Sequence, residues 1–242
     1  MSAFLPLARS TLHSPVWLVP FDDHARLVRP AGVAVRLERF DDTDGWVALD
    51  DRAVRTPSGA LAFPGLGRRS EPWTVPPERH RALFTAPGYL PLYPADDQPF
   101  AAGLVGVEFL VHAYDDTHPP AVETAPRLVR MLPAVSYPYA PGVRTVHGVV
   151  VDAATRAPVA NALVEAAGHT GDDLTPWQER TLADATGAFR LALRWEGEKA
   201  ADNPAEETFR LEAVERPGRA GALTVRLPQD ASRRHVIEIR EQ

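Results

Sequence analysis

Apolar and polar residues alternate with a period of two over much of this chain. In Gly32-Val-Ala-Val-Arg-Leu-Glu-Arg39, Val33, Val35 and Leu37 fall on one face and Arg36 and Glu38 on the other. Successive side chains of a strand point to opposite faces, so the pattern predicts a half-buried β-strand. His235 to Arg240 behaves alike, with Val236 and Glu238 alternating with Ile237 and Ile239. Further extended runs are expected at His80–Tyr89, Val107–Tyr114, Pro158–Ala166 and Thr208–Val214.

These runs form a weak internal repeat. Arg55-Thr-Pro-Ser-Gly-Ala-Leu-Ala-Phe63 and Ala183-Asp-Ala-Thr-Gly-Ala-Phe-Arg-Leu191 each place a Ser/Thr-Gly turn before alternating apolar residues. That is a hairpin signal, with glycine supplying the positive φ. Polar or proline-bearing insertions follow both, Gly67 to Glu78 and Gly197 to Glu207, and read as surface loops. Short strands at regular spacing predict an all-β chain: two tandem antiparallel Ig/transthyretin-like β-sandwiches joined by a Pro-rich linker. The expected division is an arm at 1–13, a diverged sandwich at 14–116, a linker at 117–142 and a second sandwich at 143–242. The linker carries Pro119, Pro120, Pro126, Pro133, Pro138 and Pro141, leaving room for helix only as a turn around Ala125–Met131. Leu128, Val129, Met131, Leu132, Tyr137 and Tyr139 are too apolar for solvent, so this stretch is expected to lie against a domain or a partner.

Composition narrows the function classes. The 242 residues include 24 Pro, which disfavours a helical bundle. No cysteine is present, which excludes disulfides and thiolate sites. A formal net charge of −6 argues against nucleic acid. Among the basic residues only Lys199 is lysine; the rest are arginine, which suits packed contacts through its planar fork. No run is long and apolar enough to span a membrane. The start, MSAFLPLARSTLHS, lacks a basic n-region and a full apolar stretch. Cytoplasmic synthesis without a signal peptide is expected, compatible with incorporation in an extracellular or lysis-released particle.

The second half resembles the carboxypeptidase regulatory-like, or transthyretin-like, family. The residues are Val146-His-Gly-Val-Val-Val-Asp-Ala-Ala-Thr-Arg-Ala-Pro-Val-Ala-Asn-Ala-Leu-Val164 and Thr181-Leu-Ala-Asp-Ala-Thr-Gly-Ala-Phe-Arg-Leu191, similar to the family's G-x-V-x-D, P-V-x-x-A-x-V and T-D-x-x-G-x-F pieces. The first half looks like a diverged copy, through Val33-Ala-Val-Arg-Leu37, Thr56–Phe63 and Phe84-Thr-Ala-Pro-Gly-Tyr89. The resemblance implies a rigid spacer or docking module. Tyr137-Pro-Tyr139 leading into such a domain is also similar to accessory proteins of phage-tail-like contractile injection particles.

Enzymes on related sandwiches need residues that this chain lacks. Intradiol dioxygenases, which the P-V-x-x-A-x-V region also resembles, bind iron through two Tyr and two His; here no Tyr follows Tyr139, and His169 and His235 stand alone. Hydroxyisourate hydrolases end in Tyr-Arg-Gly-Ser, whereas this chain ends Ile239-Arg-Glu-Gln242. His112 and His118 beside Asp115 and Asp116 read as surface residues near a strand end, and Asp41-Asp-Thr-Asp-Gly45 as a tight turn, not an EF-hand. Gly65-Leu-Gly-Arg-Arg69 lacks the G-K-[ST] of a phosphate loop.

No catalytic, cofactor-binding or metal residues are therefore expected. The leading expectation is a non-enzymatic structural or adaptor protein that assembles with protein partners, as an accessory component of a contractile particle; homo-oligomerisation is open. Candidate partner-binding residues are Phe4, Leu5, Trp17, Trp73, Tyr137, Tyr139 and Trp177. Trp73 and Trp177 sit in proline-flanked polar stretches and read as loop anchors. Two alternatives stay open: a carbohydrate- or surface-binding module using those loop tryptophans, and an unrecognised metal-dependent enzyme.

Overall fold

The computed structural model describes residues 12–28, 31–70, 76–94, 98–120, 125–170, 175–194, 198–200 and 202–242. Among these the chain is all-β. The strands are β1 (Trp17–Asp22), β2 (Leu27–Val28), β3 (Ala34–Asp41), β4 (Gly45–Leu49), β5 (Val54–Arg55), β6 (Leu61–Ala62), β7 (Glu78–Thr85), β8 (Tyr89–Leu92) and β9 (Val107–Val111). They continue as β10 (Pro126–Pro133), β11 (Arg144–Asp152), β12 (Leu163–Thr170), β13 (Thr175–Leu182), β14 (Ala188–Leu193), β15 (Glu198–Ala200), β16 (Asn203–Arg216), β17 (Arg219–Leu227) and β18 (Arg234–Glu241).

Two compact units divide the chain, and both are discontinuous. The first comprises Met1–Pro20, Ala34–Phe84 and Gly106–Leu128; the second comprises Phe21–Val33, Thr85–Val105 and Val129–Gln242. The expected tandem boundaries at 14–116 and 143–242 do not coincide with these two units.

In the first unit an antiparallel sheet runs in the order β4-β3-β7-β9. Its inward positions follow the period of two: Leu37, His80, Ala82, Phe84, Phe109 and Val111 are buried. The hairpin expected at Thr56 is present, with β5 pairing β6 (Val54 opposite Ala62) and Gly59 at φ +87. Leu18 of β1 lies opposite Leu61.

In the second unit the strand order is β13-β12-β16-β17-β18-β11-β14, with β15 on β16 and β11 parallel to β18. Its core joins Val146, Phe189, Leu191, Phe209, Leu211 and Ile237. The turn at Thr186-Gly187 behaves differently from its counterpart in the first half. Gly187 is at φ +74, and a Cβ there would stand 2.5 Å from the Val150 carbonyl oxygen, so only glycine fits. Yet β13 pairs with β12 and β14 with β11, so the turn joins strands with different partners and closes no ladder of its own. The second insertion is likewise no plain loop, because β15 pairs with β16 inside it.

The expected linker contains a strand, and its apolar residues pack as their composition predicts. Pro126–Pro133 is strand β10, not a helical turn, and Val129, Met131 and Leu132 are buried. Its prolines stand at the two ends, where a strand tolerates them, and the run between them is apolar. Arg130 to Pro133 pairs antiparallel with Leu92 to Tyr89 of β8. Leu132 and Leu92 then pack with Leu163 and Leu182.

Candidate functional site

Within the second unit, the end of β1 makes a charged turn. Asp22 Oδ1 accepts the Ala25 backbone N–H at 2.8 Å, and Arg26, at φ +58, donates its N–H to the Asp22 carbonyl. Asp side chains bond their own backbone in this way and so favour turns. β2 then returns alongside, with Phe21 opposite Val28. The turn thereby presents Asp22, Asp23 and His24 in succession.

Each of the three has its own partners. Asp22 is fully buried and accepts the Tyr89 hydroxyl at 2.6 Å and the Tyr137 hydroxyl at 3.4 Å. Asp23, 2% exposed, takes a two-pronged grip from Arg180, Nη2 at 2.7 Å and Nε at 3.1 Å, with Arg130 Nη1 at 2.9 Å. Fork-to-carboxylate pairs of this kind are among the stronger hydrogen bonds. His24 Nδ1 lies 2.8 Å from buried Glu179, which Arg194 also holds. The His24 ring stands edge-on to Tyr137 and Tyr139 at 5.6 and 5.0 Å.

The Tyr137-Pro-Tyr139 segment lies along β14. Arg190 donates to the Tyr137 carbonyl, the Tyr139 hydroxyl donates to the Arg190 carbonyl, and the Arg190 guanidinium sits 4.9 Å over the Tyr139 ring. An edge strand is thus covered by a proline-flanked segment.

Electrostatics favour these contacts at neutral pH. Burial pushes the Asp23 carboxyl up, but Arg180, Arg130 and Arg26 outweigh it and hold the pKa below the usual carboxylate value. Burial, and then the Asp22 carboxylate, push the Tyr89 hydroxyl well above its ordinary value; burial and Glu179 do the same to Tyr139. Both phenols are therefore fixed as donors. The cluster holds chain segments together, with Asp23 and Glu179 matched by arginines and Asp22 by two phenol hydroxyls.

An acid-stability profile follows. Asp23 has a folded pKa below its unfolded one, so its contribution is present above about pH 4 and is lost as pH falls through the folded value. In the first unit His80 is buried, and that burial lowers its pKa. The unfolded chain then binds the extra proton first, so stability also declines as pH drops below about 6.5. Thermal melts between neutral pH and pH 3 should fall in two stages; a flat profile would contradict both assignments.

The sequence-predicted residues divide. Phe4, Leu5 and Trp73 lie outside the described residues. Trp17 opens β1 opposite Ala62 in the first unit, half-buried. Tyr137 and Tyr139 are brought together, ring centroids 4.7 Å apart, but against their own unit. Trp177 is not in a loop. It stands on β13, 7% exposed, 6.1 Å from Phe209, its indole over Gly168, where a Cβ would come within 2.7 Å of the ring. Sequence reasoning missed Asp22, Asp23 and His24; the only local signal was three polar residues directly after Phe21 in an alternating strand.

The other clusters are local. Asp115 accepts the backbone N–H groups of Thr117 and His118 and the Thr117 hydroxyl, which overcome its desolvation and bring its pKa down to about 2. Asp41 accepts the N–H groups of Thr43 and Asp44. Among the described residues no three His, Asp or Glu side chains are placed to share a metal ion.

No family model matches the chain, and no curated protein matches it. Several solved structures are similar. A streptococcal ancillary pilin is 14% identical with a TM-score of 0.29, over 94% of this chain and 62% of its own length. The shaft pilin SpaA from Lactobacillus rhamnosus GG is 11% identical with a TM-score of 0.27, over 97% of this chain and 98% of its own. BcpA, the major pilin subunit of Bacillus cereus, is 11% identical with a TM-score of 0.27, over 92% of this chain and 68% of its own. Likeness this distant carries no argument about what the chain does.

Proposed function

We propose that this chain is a non-enzymatic structural or adaptor protein that assembles with protein partners. The observation that carries the reading is the pinned turn. Asp22, Asp23 and His24 tie β1 to β8, β10, β13 and the Tyr137–Tyr139 segment, and their partners are engaged within the fold. Such a network makes a rigid body, which suits a part that transmits position between other parts. The finer reading is an accessory component of a phage-tail-like contractile particle, made in the cytoplasm and carried within the particle. It rests on the resemblance of Tyr137-Pro-Tyr139 and the domain after it.

Internal use of Tyr137 and Tyr139 moves the expected partner contact to the N-terminal arm with Phe4 and Leu5, and to Trp17. Extended arms can add a strand to a neighbour's sheet. Deletion of residues 1–11 spares His13, which packs edge-on against Tyr114 at 5.2 Å. The truncated chain should keep its melting temperature but be depleted from contractile particles sedimented from the host. Incorporation equal to that of the full chain would sink the arm's role, and absence of the full chain from such particles would sink the finer reading.

A further inference from the structure

The sheet of the first unit leaves one edge open among the described residues. Strand β4 ends the order β4-β3-β7-β9, and its ladder runs only to β3, with Trp46 opposite Phe40 and Ala48 opposite Glu38. The other edge, β9, is attended by Arg127, whose Nη1 donates to the Glu108 carbonyl at 3.0 Å. Natural edges are usually blunted by lysine, proline or a covering segment. β4 reads Gly-Trp-Val-Ala-Leu and has neither residue, and Val47 and Ala48 are exposed.

Charge says what kind of strand fits. From Phe40 to Asp51 the chain holds Asp41, Asp42, Asp44, Asp50 and Asp51 and no basic residue, so both ends of β4 are acidic around an apolar middle. A second copy of β4 would bring aspartates opposite aspartates in either direction, and like charges facing each other oppose pairing. Next to the edge, Trp46 is held in place by Phe40 at 5.3 Å and by Arg81, 4.3 Å over its ring. It offers a fixed aromatic neighbour for a partner's β-branched side chain.

We propose that β4 takes, by strand addition, an extended apolar segment of a protein partner that carries Lys or Arg at both ends. This rests on the assembly reading above and names the partner's chemistry. Backbone hydrogen bonds supply the pairing, Trp46 favours β-branched residues, and the flanking aspartates set register and exclude self-pairing.

Two synthetic peptides test it on the full chain, each with a short alternating valine–threonine core, one ending in paired lysines and the other in paired glutamates. The lysine-ended peptide should bind about ten-fold more tightly or better, and should weaken as salt is raised. Val47→Pro and Ala48→Pro complete the test, since the N–H groups of consecutive strand residues point to opposite sides. The variant that keeps the wild-type melting temperature should lose the peptide. Replacing Asp42, Asp44, Asp50 and Asp51 with lysine should reverse the peptide preference. Equal binding of both peptides, binding that survives in the stably folded proline variant, or a dimer that either proline abolishes would overturn the proposal. Particle incorporation of the full chain is read separately, so loss of peptide binding alone overturns the edge assignment and leaves the assembly reading standing.

Discussion

Asp23→Asn should destabilise the folded chain by about 3 kcal/mol. The substitution keeps the side chain's shape and removes its charge. Arg180 and Arg130, 14% and 20% exposed, would then face an amide in a site that excludes most water. Breaking a buried pair from one side costs about 3–5 kcal/mol, because the abandoned charge stays desolvated. The lower end applies here, since both guanidinium groups retain some solvent. Chemical denaturation at neutral pH measures it, with Glu212→Gln as a control. Arg210 and Glu212 are 71% and 47% exposed, so that change should move stability by no more than about 0.5 kcal/mol. If Asp23→Asn costs no more than the control, the pinned turn is not holding the second unit together.

Trp177→Ala should cost about 3–5 kcal/mol, the range for removing a large aromatic side chain from a core. The indole packs against Phe209 and fills the space above Gly168. Its Nε1 is buried with no hydrogen-bond partner among the described residues, so the loss there is one of packing. An exposed ligand-binding tryptophan would give the opposite result, a nearly unchanged melting temperature together with lost ligand. The two roles therefore separate in a single denaturation experiment.

How much of this was legible depends on how local the signal is. The alternation in Gly32–Arg39 and His235–Arg240 predicted β3 and β18 correctly, because a period of two is written in neighbouring residues. The Ser58-Gly59 hairpin was readable for the same reason. In residues 117–142 the apolar side chains Val129, Met131 and Leu132 are buried, as their composition predicts, but six prolines hide the strand itself, although Pro126 and Pro133 only bound β10. Trp177 reads as a loop residue because Thr175 and Pro176 precede it, whereas the glycine that receives its ring lies on a different strand. The acidic turn was invisible for a plainer reason. Asp23 finds Arg130 and Arg180 at separations of 107 and 157 residues, and no local pattern announces such partners. The interleaved units are the same problem at larger scale, since segments 21–33 and 85–105 join the second unit through contacts far along the chain.

The central claim is that the tyrosine segment and the acidic turn are locked against the second unit. Spectrophotometric titration of the five tyrosines tests it most directly. Tyr89 and Tyr139 should resist ionisation near pH 10 and become phenolate only as the chain unfolds in alkali, with Tyr89→Phe and Tyr139→Phe each removing one late-titrating group. Five tyrosines ionising together near pH 10 in a chain that is still folded would contradict it.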